Sequence, residues 1–150
     1  MGDLEPTEVE SRRGARERAL ELLYEAEAKD TAPGEVLAAL PVAPIPLAVE
    51  LVRGVEAHQA EIDERLSRLV APRWTLERLA AVDRAVLRIG TYELASAPGR
   101  STALIINEAV VLARRFGTDD SPRFVNGVLA AAAAELRHEP EPAGESTTDG

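Results

Sequence analysis

The chain of 150 residues contains no cysteine, and this absence excludes several kinds of site. Without thiolates it can form no disulfide, no cysteine zinc site, no iron–sulfur cluster and no cysteine nucleophile. It also lacks any apolar run approaching the ~20 residues that a membrane span requires. Its acidic N-terminus does not follow the basic and then apolar plan of a signal peptide. We therefore expect a cytoplasmic protein that does not contact a membrane.

Patterns of catalytic and cofactor-binding residues are also scarce. The two histidines, His58 and His138, begin no metal-binding spacing. Neither GxGxxG nor GxxxxGK[ST] occurs, so the sequence offers no nucleotide cradle. His58 lies on an apolar helical stripe, where a partly buried histidine is more common than a catalytic one. We expect no catalytic residue, no metal and no cofactor.

The net charge of −9 comes from the two ends of the chain. Residues 1–11 and residues 138–150 each carry −4, so the segment between them carries only −1. Both ends offer little to bury, and we predict an acidic flexible tail over 1–11 and an acidic disordered tail over 138–150. The remaining segment, 12–137, has a length typical of one domain.

A cluster of arginines opens this domain. The segment SRRGARER contains Arg12, Arg13, Arg16 and Arg18, opposed only by Glu17. Their local positive potential attracts polyanions whatever the distant tails carry, because salt screens charges that lie more than ~10 Å apart. The alternative is that these side chains only solvate the start of a helix.

Apolar residues recur at helical spacing along almost the whole domain. Ser11 is the expected N-cap of the first helix, and Ser121 with Pro122 is the N-cap and N1 signature of the last. The clearest stripe predicts a single helix that stops at Pro72, and it consists of Leu47, Leu51, Val55, His58, Ile62, Leu66 and Leu69. No segment has the pattern of a strand. We predict an all-α fold of about six or seven helices around one core.

The start of the last helix carries residues that could serve a ligand. Phe124 follows Arg123 in the first turn, where such a pair could hold a phosphate and stack an unpaired base. The alternative is that Phe124 fills the core. Asp119 and Asp120 either supply negative charge to the helix N-terminus or meet a ligand. Gly127, in the middle of the helix, predicts a close helix–helix crossing.

Several motifs resemble, in order and spacing, the signature of the NusB family of transcription antitermination factors. The most specific stretch contains Ile106-Asn107-Glu108-Ala109, Phe116-Gly117, Asp120-Ser121 and Phe124-Val125-Asn126-Gly127-Val128-Leu129. The segments RRGARERALELLY and AVDRAVLRIGTYEL are similar to two other helices of the family, so the match spans roughly residues 12–137. The resemblance implies a compact all-helical bundle in two packed subdomains, without enzyme activity.

The resemblance also implies a function and partners. NusB-like proteins bind boxA, a single-stranded element in the leader RNA of ribosomal RNA operons, together with NusE, a ribosomal small-subunit protein. They join NusA, NusG and RNA polymerase, and the assembly lets polymerase pass terminators. We therefore expect an RNA-binding antitermination factor, and the resemblance leaves both a monomer and a homodimer open.

The site residues follow from the same resemblance, position by position. The RNA-facing residues implied are Arg12, Arg13 and Arg16 of the first helix, and Asp120, Arg123 and Phe124 of the last. Tyr24 and Glu93 match positions at or near the surface shared by NusE and RNA. Such a site requires the first helix and the start of the last to lie side by side, as one shelf for unpaired ribonucleotides.

Other readings remain open at this point. A protein-binding helical adaptor without sequence-specific RNA recognition would use the same fold. NusB-like domains also begin a ribosomal RNA cytosine methyltransferase, whose catalytic domain and cysteine nucleophile we do not find here. A small-molecule enzyme is disfavoured by the missing catalytic constellations. Gly14 stands where many relatives carry a base, and the acidic tail before it could fold over the arginines and lower RNA affinity.

Overall fold

The computed structural model describes residues 8–137, which form seven α-helices and one short 3-10 turn at Leu76–Arg78. The helices are α1 (Glu8–Ala28), α2 (Pro33–Ala38), α3 (Pro46–Ala57), α4 (Gln59–Val70), α5 (Ala81–Ser96), α6 (Thr102–Phe116) and α7 (Ser121–Leu136). The described part of the chain contains no strand, and the predicted all-α fold is confirmed. None of its helices is long and apolar enough to cross a membrane.

The centre of the bundle is α5. It packs against α1, α3, α4, α6 and α7, and residues on most of its circumference between Arg84 and Leu94 are buried. A helix buried on nearly all sides must lie inside the fold, because a surface helix keeps a broad polar face. The other helices form two groups, α1 to α3 and α4 with α6 and α7, which meet mainly on α5.

The helix directions define two ends of the bundle. Arg16 pairs with Glu93, so the start of α1 lies beside the end of α5. Arg137, which follows α7, bonds to Thr102 at the start of α6. One end, here called the Arg12 end, therefore holds the starts of α1 and α6 and the ends of α5 and α7. The opposite end, here called the Phe124 end, holds the end of α6 and the start of α7.

The helix predicted over 47–69 is instead two helices, so this prediction was wrong. His58 has φ −113° and ψ 18°, outside the α-helical range, and the chain bends there between α3 and α4. Because of the bend, the two halves of the apolar stripe pack against different helices. The half on α3 packs on α1 and α2, whereas the half on α4 packs on α7. Hydrogen bonds continue through it, because the His58 amide donates to Gly54 O at 3.1 Å and its carbonyl accepts from the Ile62 amide at 2.9 Å.

His58 itself does not occupy the partly buried position that its place in the stripe predicted. Its side chain is 49% exposed, with Nδ1 3.2 Å from Glu61 Oε1. The ring stacks on Tyr92 at a centroid distance of 6.2 Å. The bend explains the difference, because it turns this one position of the stripe outward. His138 lies outside the described residues.

The helix starts also differ from the prediction. The first helix begins at Glu8, so Ser11 lies within α1 and is not its N-cap. Residues 8–11 of the predicted 1–11 tail therefore belong to the helix. The rest of that tail and the predicted tail over 138–150 lie outside the described residues, as does any contact of residues 1–7 with the arginines. Asp120 occupies the N-cap position of α7. The buried Ser121 hydroxyl instead accepts a hydrogen bond from the Thr118 amide at 2.9 Å and closes the preceding turn.

The closest helix crossings lie at Gly54 and Gly90, and the crossing predicted at Gly127 was wrong. A Cβ on Gly54 would overlap Cε1 of Tyr92, and a Cβ on Gly90 would lie 2.6 Å from Leu129 Cδ1. A Cβ on Gly127 would meet nothing within 4 Å. A glycine inside a helix is thus compatible with a contact or with open solvent, and only the packing of the neighbours decides between them.

Substituting Gly54 tests the tighter crossing. We expect Gly54→Ala to lower the free energy of unfolding by about 1–3 kcal/mol, because the Tyr92 ring must move to admit the methyl group. Gly127→Ala is the matched control and should be neutral or stabilising by up to about 1 kcal/mol, because alanine favours an exposed helix over glycine. Urea denaturation of both variants measures the difference. Equal stability of the two variants would contradict the close approach at Gly54.

Candidate nucleic-acid interface

A buried ion pair fixes the position of the arginine-rich helix. Arg16 Nε donates to Glu93 Oε2 at 2.9 Å, and Arg16 Nη2 donates to Glu93 Oε1 at 2.7 Å. The two side chains are only 3% and 1% exposed. A bidentate pair of this kind is the geometry that a buried guanidinium and carboxylate require. Neither Arg16 nor Glu93 can therefore touch RNA or a partner, although such contacts had been predicted for both. The pair instead positions α1 on α5.

The pair continues into a network that joins α1, α3 and α5. Glu93 Oε1 also accepts from Arg100 Nη1 at 3.2 Å, and Arg100 Nη2 donates to Glu50 Oε1 at 2.7 Å. The Tyr92 hydroxyl donates to Glu50 Oε2 at 3.0 Å. Burial, the largest single influence, raises the pKa of Glu50, but the hydrogen bonds from Arg100 and Tyr92, together with the positive charges of Arg100 and Arg16, lower it overall. Glu50 thus stays ionised and holds Arg100 in place.

Arg137 fixes the loop between α5 and α6 from the end of α7. Its guanidinium donates to four backbone carbonyls, those of Glu93 at 3.2 Å, Leu94 at 3.0 Å, Ala97 at 2.8 Å and Arg100 at 2.6 Å. These carbonyls belong to the last turn of α5 and to the loop after it, where a helix leaves backbone acceptors to be satisfied by other donors. These bonds hold the loop that carries Arg100 in place. No sequence motif had indicated this role for Arg137.

Arg12 and Arg13 reach the surface at the Arg12 end. Arg12 is exposed and lines a cleft together with Leu47, Arg100 and Leu104. Arg13 is 40% exposed and forms a bidentate pair with Glu108 of α6, with Nε–Oε1 at 3.1 Å and Nη2–Oε2 at 2.8 Å. Its hydrogen bond lowers the pKa of Glu108, and the same bond raises the pKa of Arg13. Of the three α1 arginines predicted to face RNA, these are the two that a ligand can reach.

A groove between α6 and α7 brings together Asp120 and Arg123, two of the predicted site residues. We call it the α6–α7 groove, and it is lined by Ala103, Ile106, Asn107, Val110, Arg114, Asp119, Asp120, Pro122, Arg123 and Asn126. The sequence reasoning missed Asn107, Arg114 and Asn126 as site residues. The first and last of these stand inside the quoted motifs, which offered a signal for them.

The chemistry of this groove suits a single-stranded nucleic acid. Arg114 and Arg123 are exposed, and neither forms an ion pair within residues 8–137. Their planar guanidinium groups match phosphate oxygens. Asn107 and Asn126 can both donate and accept hydrogen bonds, while the Asp120 carboxylate only accepts, so these groups can read the exposed edges of unpaired bases.

Phe124 does not face this groove. Its half-buried ring packs against the core and meets Trp74 edge-on, at a centroid distance of 6.5 Å and an interplanar angle of 72°. Trp74 follows α4, so Phe124 lies on the α4 side of α7 while Arg123 lies on the α6 side. Neighbouring helical residues diverge by about 100°, which explains why this pair points in two directions. Tyr24 is 48% exposed on α1 and remains accessible to a partner.

The prediction that α1 and the start of α7 lie side by side was wrong. The helices that pack against α1 are α2, α3 and α5, and α7 packs on α4, α5 and α6. Between them lies α6, tied to α1 by the pairs Arg13–Glu108 and Arg115–Glu17. Arg12 and Phe124 lie toward opposite ends of α6, whose 15 residues span about 22 Å. The predicted site residues thus form two clusters joined by the exposed face of α6.

Comparison with known proteins agrees with the motifs and the fold. The NusB family model matches residues 13–134. Transcription antitermination protein NusB of Beutenbergia cavernae is 46% identical, with 89% of this chain and 98% of the relative covered. The relatives are thus named for antitermination and not for a reaction. Among the residues described, no group of three or more His, Cys, Asp or Glu side chains could hold a metal ion.

Two solved structures show the same architecture. T. maritima NusB superposes with a TM-score of 0.74 at 33% identity and covers 83% of this chain and 91% of its own. A crystal structure of antitermination factors NusB and NusE in complex with dsRNA gives a TM-score of 0.71 at 27% identity, covering 83% of this chain and 97% of that one. The helical arrangement described above is therefore shared with these proteins.

Removing the buried carboxylate tests the positioning role of the Arg16–Glu93 pair. We expect Glu93→Gln to lower the free energy of unfolding by about 3 kcal/mol or more, because it leaves a buried guanidinium without its counter-charge. Glu21→Gln breaks the exposed Arg18–Glu21 pair of α1 and should cost less than about 1 kcal/mol. Urea denaturation compares them. A small loss for Glu93→Gln would show that α1 is held by apolar packing alone.

The lowered pKa of Glu108 predicts a pH dependence of stability. In the folded protein Arg13 favours the carboxylate, so the unfolded state binds more protons near the ordinary pKa of 4.5. This contribution to stability is present above that pH and is lost as the pH falls through the lower folded pKa. Arg13→Gln should therefore reduce the loss of stability between neutral and acid pH. Urea denaturation across this range, with Arg18→Gln as control, measures it, and an unchanged pH profile in Arg13→Gln would contradict the pairing.

Proposed function

The chain belongs to the NusB family, and on that basis we propose that it is an RNA-binding transcription antitermination factor. In this proposal it recognises boxA in the leader RNA of ribosomal RNA operons together with NusE. The complex would join NusA, NusG and RNA polymerase in the cytoplasm and promote processive transcription of these operons.

The observation that best supports RNA binding is the composition of the α6–α7 groove. Two exposed arginines, Arg114 and Arg123, lie in one groove with Asn107, Asp120 and Asn126. Cations alone would hold any polyanion, whereas amides and a carboxylate beside them can distinguish base edges. This combination favours a sequence-selective site over a general electrostatic one.

The geometry suggests a path for the RNA. Arg12 and Arg13 lie beside the first half of α6, and Arg123 lies beside its end. A strand that follows the exposed face of α6 would meet phosphate-binding groups at both ends and base-reading groups between them. The face is too long for one nucleotide, so the separation of the two clusters is compatible with an extended single strand and not with a single pocket.

NusE is the proposed protein partner. One structural relative forms a complex of NusB, NusE and dsRNA. On this chain Tyr24 is the accessible member of the two positions carried over for that surface, because Glu93 is buried. We propose that Tyr24 contacts NusE directly and that Glu93 acts through the placement of α1.

A protein-binding adaptor is the second candidate function. It is favoured by one observation, that Arg13 and Arg16 already pair with carboxylates and so offer less charge to RNA than the sequence suggested. A phosphate must then compete with Glu108 for Arg13. The chain could form a homodimer as an RNA-binding factor or as an adaptor, so its oligomeric state does not distinguish these two functions.

Electrophoretic retardation of boxA RNA distinguishes the two functions. We expect this protein with NusE to retard boxA RNA at lower concentrations than a scrambled RNA of equal length, because base-edge contacts depend on sequence. A duplex of boxA with its complement belongs in the same series, since the related complex contains dsRNA. Equal affinity for boxA and scrambled RNA would favour the adaptor.

Arginine substitutions test the proposed path along α6. We expect Arg12→Gln and Arg123→Gln each to weaken boxA binding and to reduce the slope of log affinity against log salt by about 1, because each removes one phosphate contact. Arg53→Gln is the matched control, since Arg53 is an exposed arginine of α3 that lines neither the groove nor the Arg12 cleft. Fluorescence anisotropy of labelled RNA at several salt concentrations measures the slopes. Equal slopes for all three variants would argue against the path.

A further inference from the structure

A partly exposed aromatic pair lies at the Phe124 end, next to the α6–α7 groove but outside it. Trp74, the single tryptophan of the chain, stands between α4 and the 3-10 turn and is 46% exposed. Its amide donates to Val70 O at 3.0 Å, which ties its backbone to the end of α4. Tryptophan is usually well covered in a folded protein, so a half-exposed indole on an anchored backbone indicates a contact surface.

Phe124 holds the indole in a defined orientation. The two rings meet edge-to-face at a centroid distance of 6.5 Å, an arrangement that stabilises aromatic pairs. Phe124 is itself packed against the core, so the pair is attached to the rigid part of the fold. A prearranged aromatic surface loses little conformational entropy when a planar ligand stacks on it.

Exposed arginines lie close to the pair in the sequence. Arg73 and Arg123 adjoin the two aromatic residues in sequence, and Arg78 follows in the 3-10 turn. All three are exposed, and no ion pair of any of them is found within residues 8–137. In the segment 71–80 the single acidic residue is Glu77. A half-exposed aromatic ring together with exposed arginines is a combination by which proteins hold single-stranded nucleic acids.

We propose that Trp74 and Phe124, with Arg73 and Arg123, form a stacking platform for an unpaired RNA base that lies beyond the α6–α7 groove. This inference rests on the proposed function and extends its site. Arg123 lines the groove and directly precedes Phe124, so a strand leaving the groove passes Arg123 before it reaches Trp74. The positive charge favours RNA over a protein as the occupant, because a protein surface would require acidic partners for three arginines.

The single tryptophan makes the platform directly observable. We expect boxA RNA extended by several unpaired nucleotides to quench Trp74 emission, with the same midpoint as the anisotropy of the labelled RNA. Trp74→Leu should weaken binding of the extended RNA by roughly tenfold, whereas Trp74→Phe should retain most of the affinity because it keeps a ring for stacking. RNA trimmed to the boxA element should be affected less by Trp74→Leu.

Matched arginine variants separate the platform from general charge. Arg73→Gln should weaken binding of the extended RNA severalfold, while Arg53→Gln should leave it unchanged. Far-ultraviolet circular dichroism checks that the variants are folded. If a Trp74 variant does not fold, the Trp74 emission of the unmodified protein still shows whether RNA contacts the platform.

The outcomes distinguish this inference from the proposed function. If boxA RNA binds selectively while Trp74 emission and Trp74→Leu affinity stay unchanged, the platform is wrong and the proposed function stands. If neither boxA nor the extended RNA binds better than a scrambled RNA, with or without NusE, both are wrong. If NusE alone changes Trp74 emission and Trp74→Leu weakens that complex, the surface contacts protein and the platform is overturned.

Discussion

Two opposite charges in the interior of a small protein are tolerated only if each is paired with the other, and Arg16 and Glu93 meet this condition through two hydrogen bonds. The pair fixes the position at which α1 packs against α5. Arg100 extends the same network to Glu50 of α3, so three helices and one loop are placed by four charged side chains. The Arg12 cleft opens at the edge of this network, and the α6–α7 groove lies outside it.

The placement of α1 determines the form of the proposed RNA site. Because α1 is held against α5 and α3, it cannot also pack beside α7, and α6 fills the space between them. The arginines of α1 and the first turn of α7 become two ends of one extended surface. A single strand can follow such a surface, whereas a compact ligand would contact only one of its ends.

Arg12 and Arg16 show what the sequence alone could not predict. They are four residues apart and therefore share a face of α1, so helical periodicity cannot assign them different roles. In the structure Arg16 is covered by α5, while Arg12 lies where α5 has already ended and is exposed. Glu93 and Glu108, the carboxylates that occupy Arg16 and Arg13, come from other helices far along the chain. Periodicity places Phe124 and Arg123 on different sides of α7, but only the packing shows which neighbour covers each side.

The sequence by itself determined the helical class, the family motifs and the net charge of residues 12–137, because apolar spacing and residue order are properties of the chain alone. It also placed Asp120 and Arg123 in a candidate site before any contact was known. Only the tertiary structure decided which arginines are buried, that His58 bends a continuous stripe into two helices, and that Gly54 and Gly90 rather than Gly127 lie at close crossings. The physical reason is that periodicity fixes the side of a helix on which a residue stands, whereas burial and pairing depend on which neighbour covers that side and where along the helix it ends.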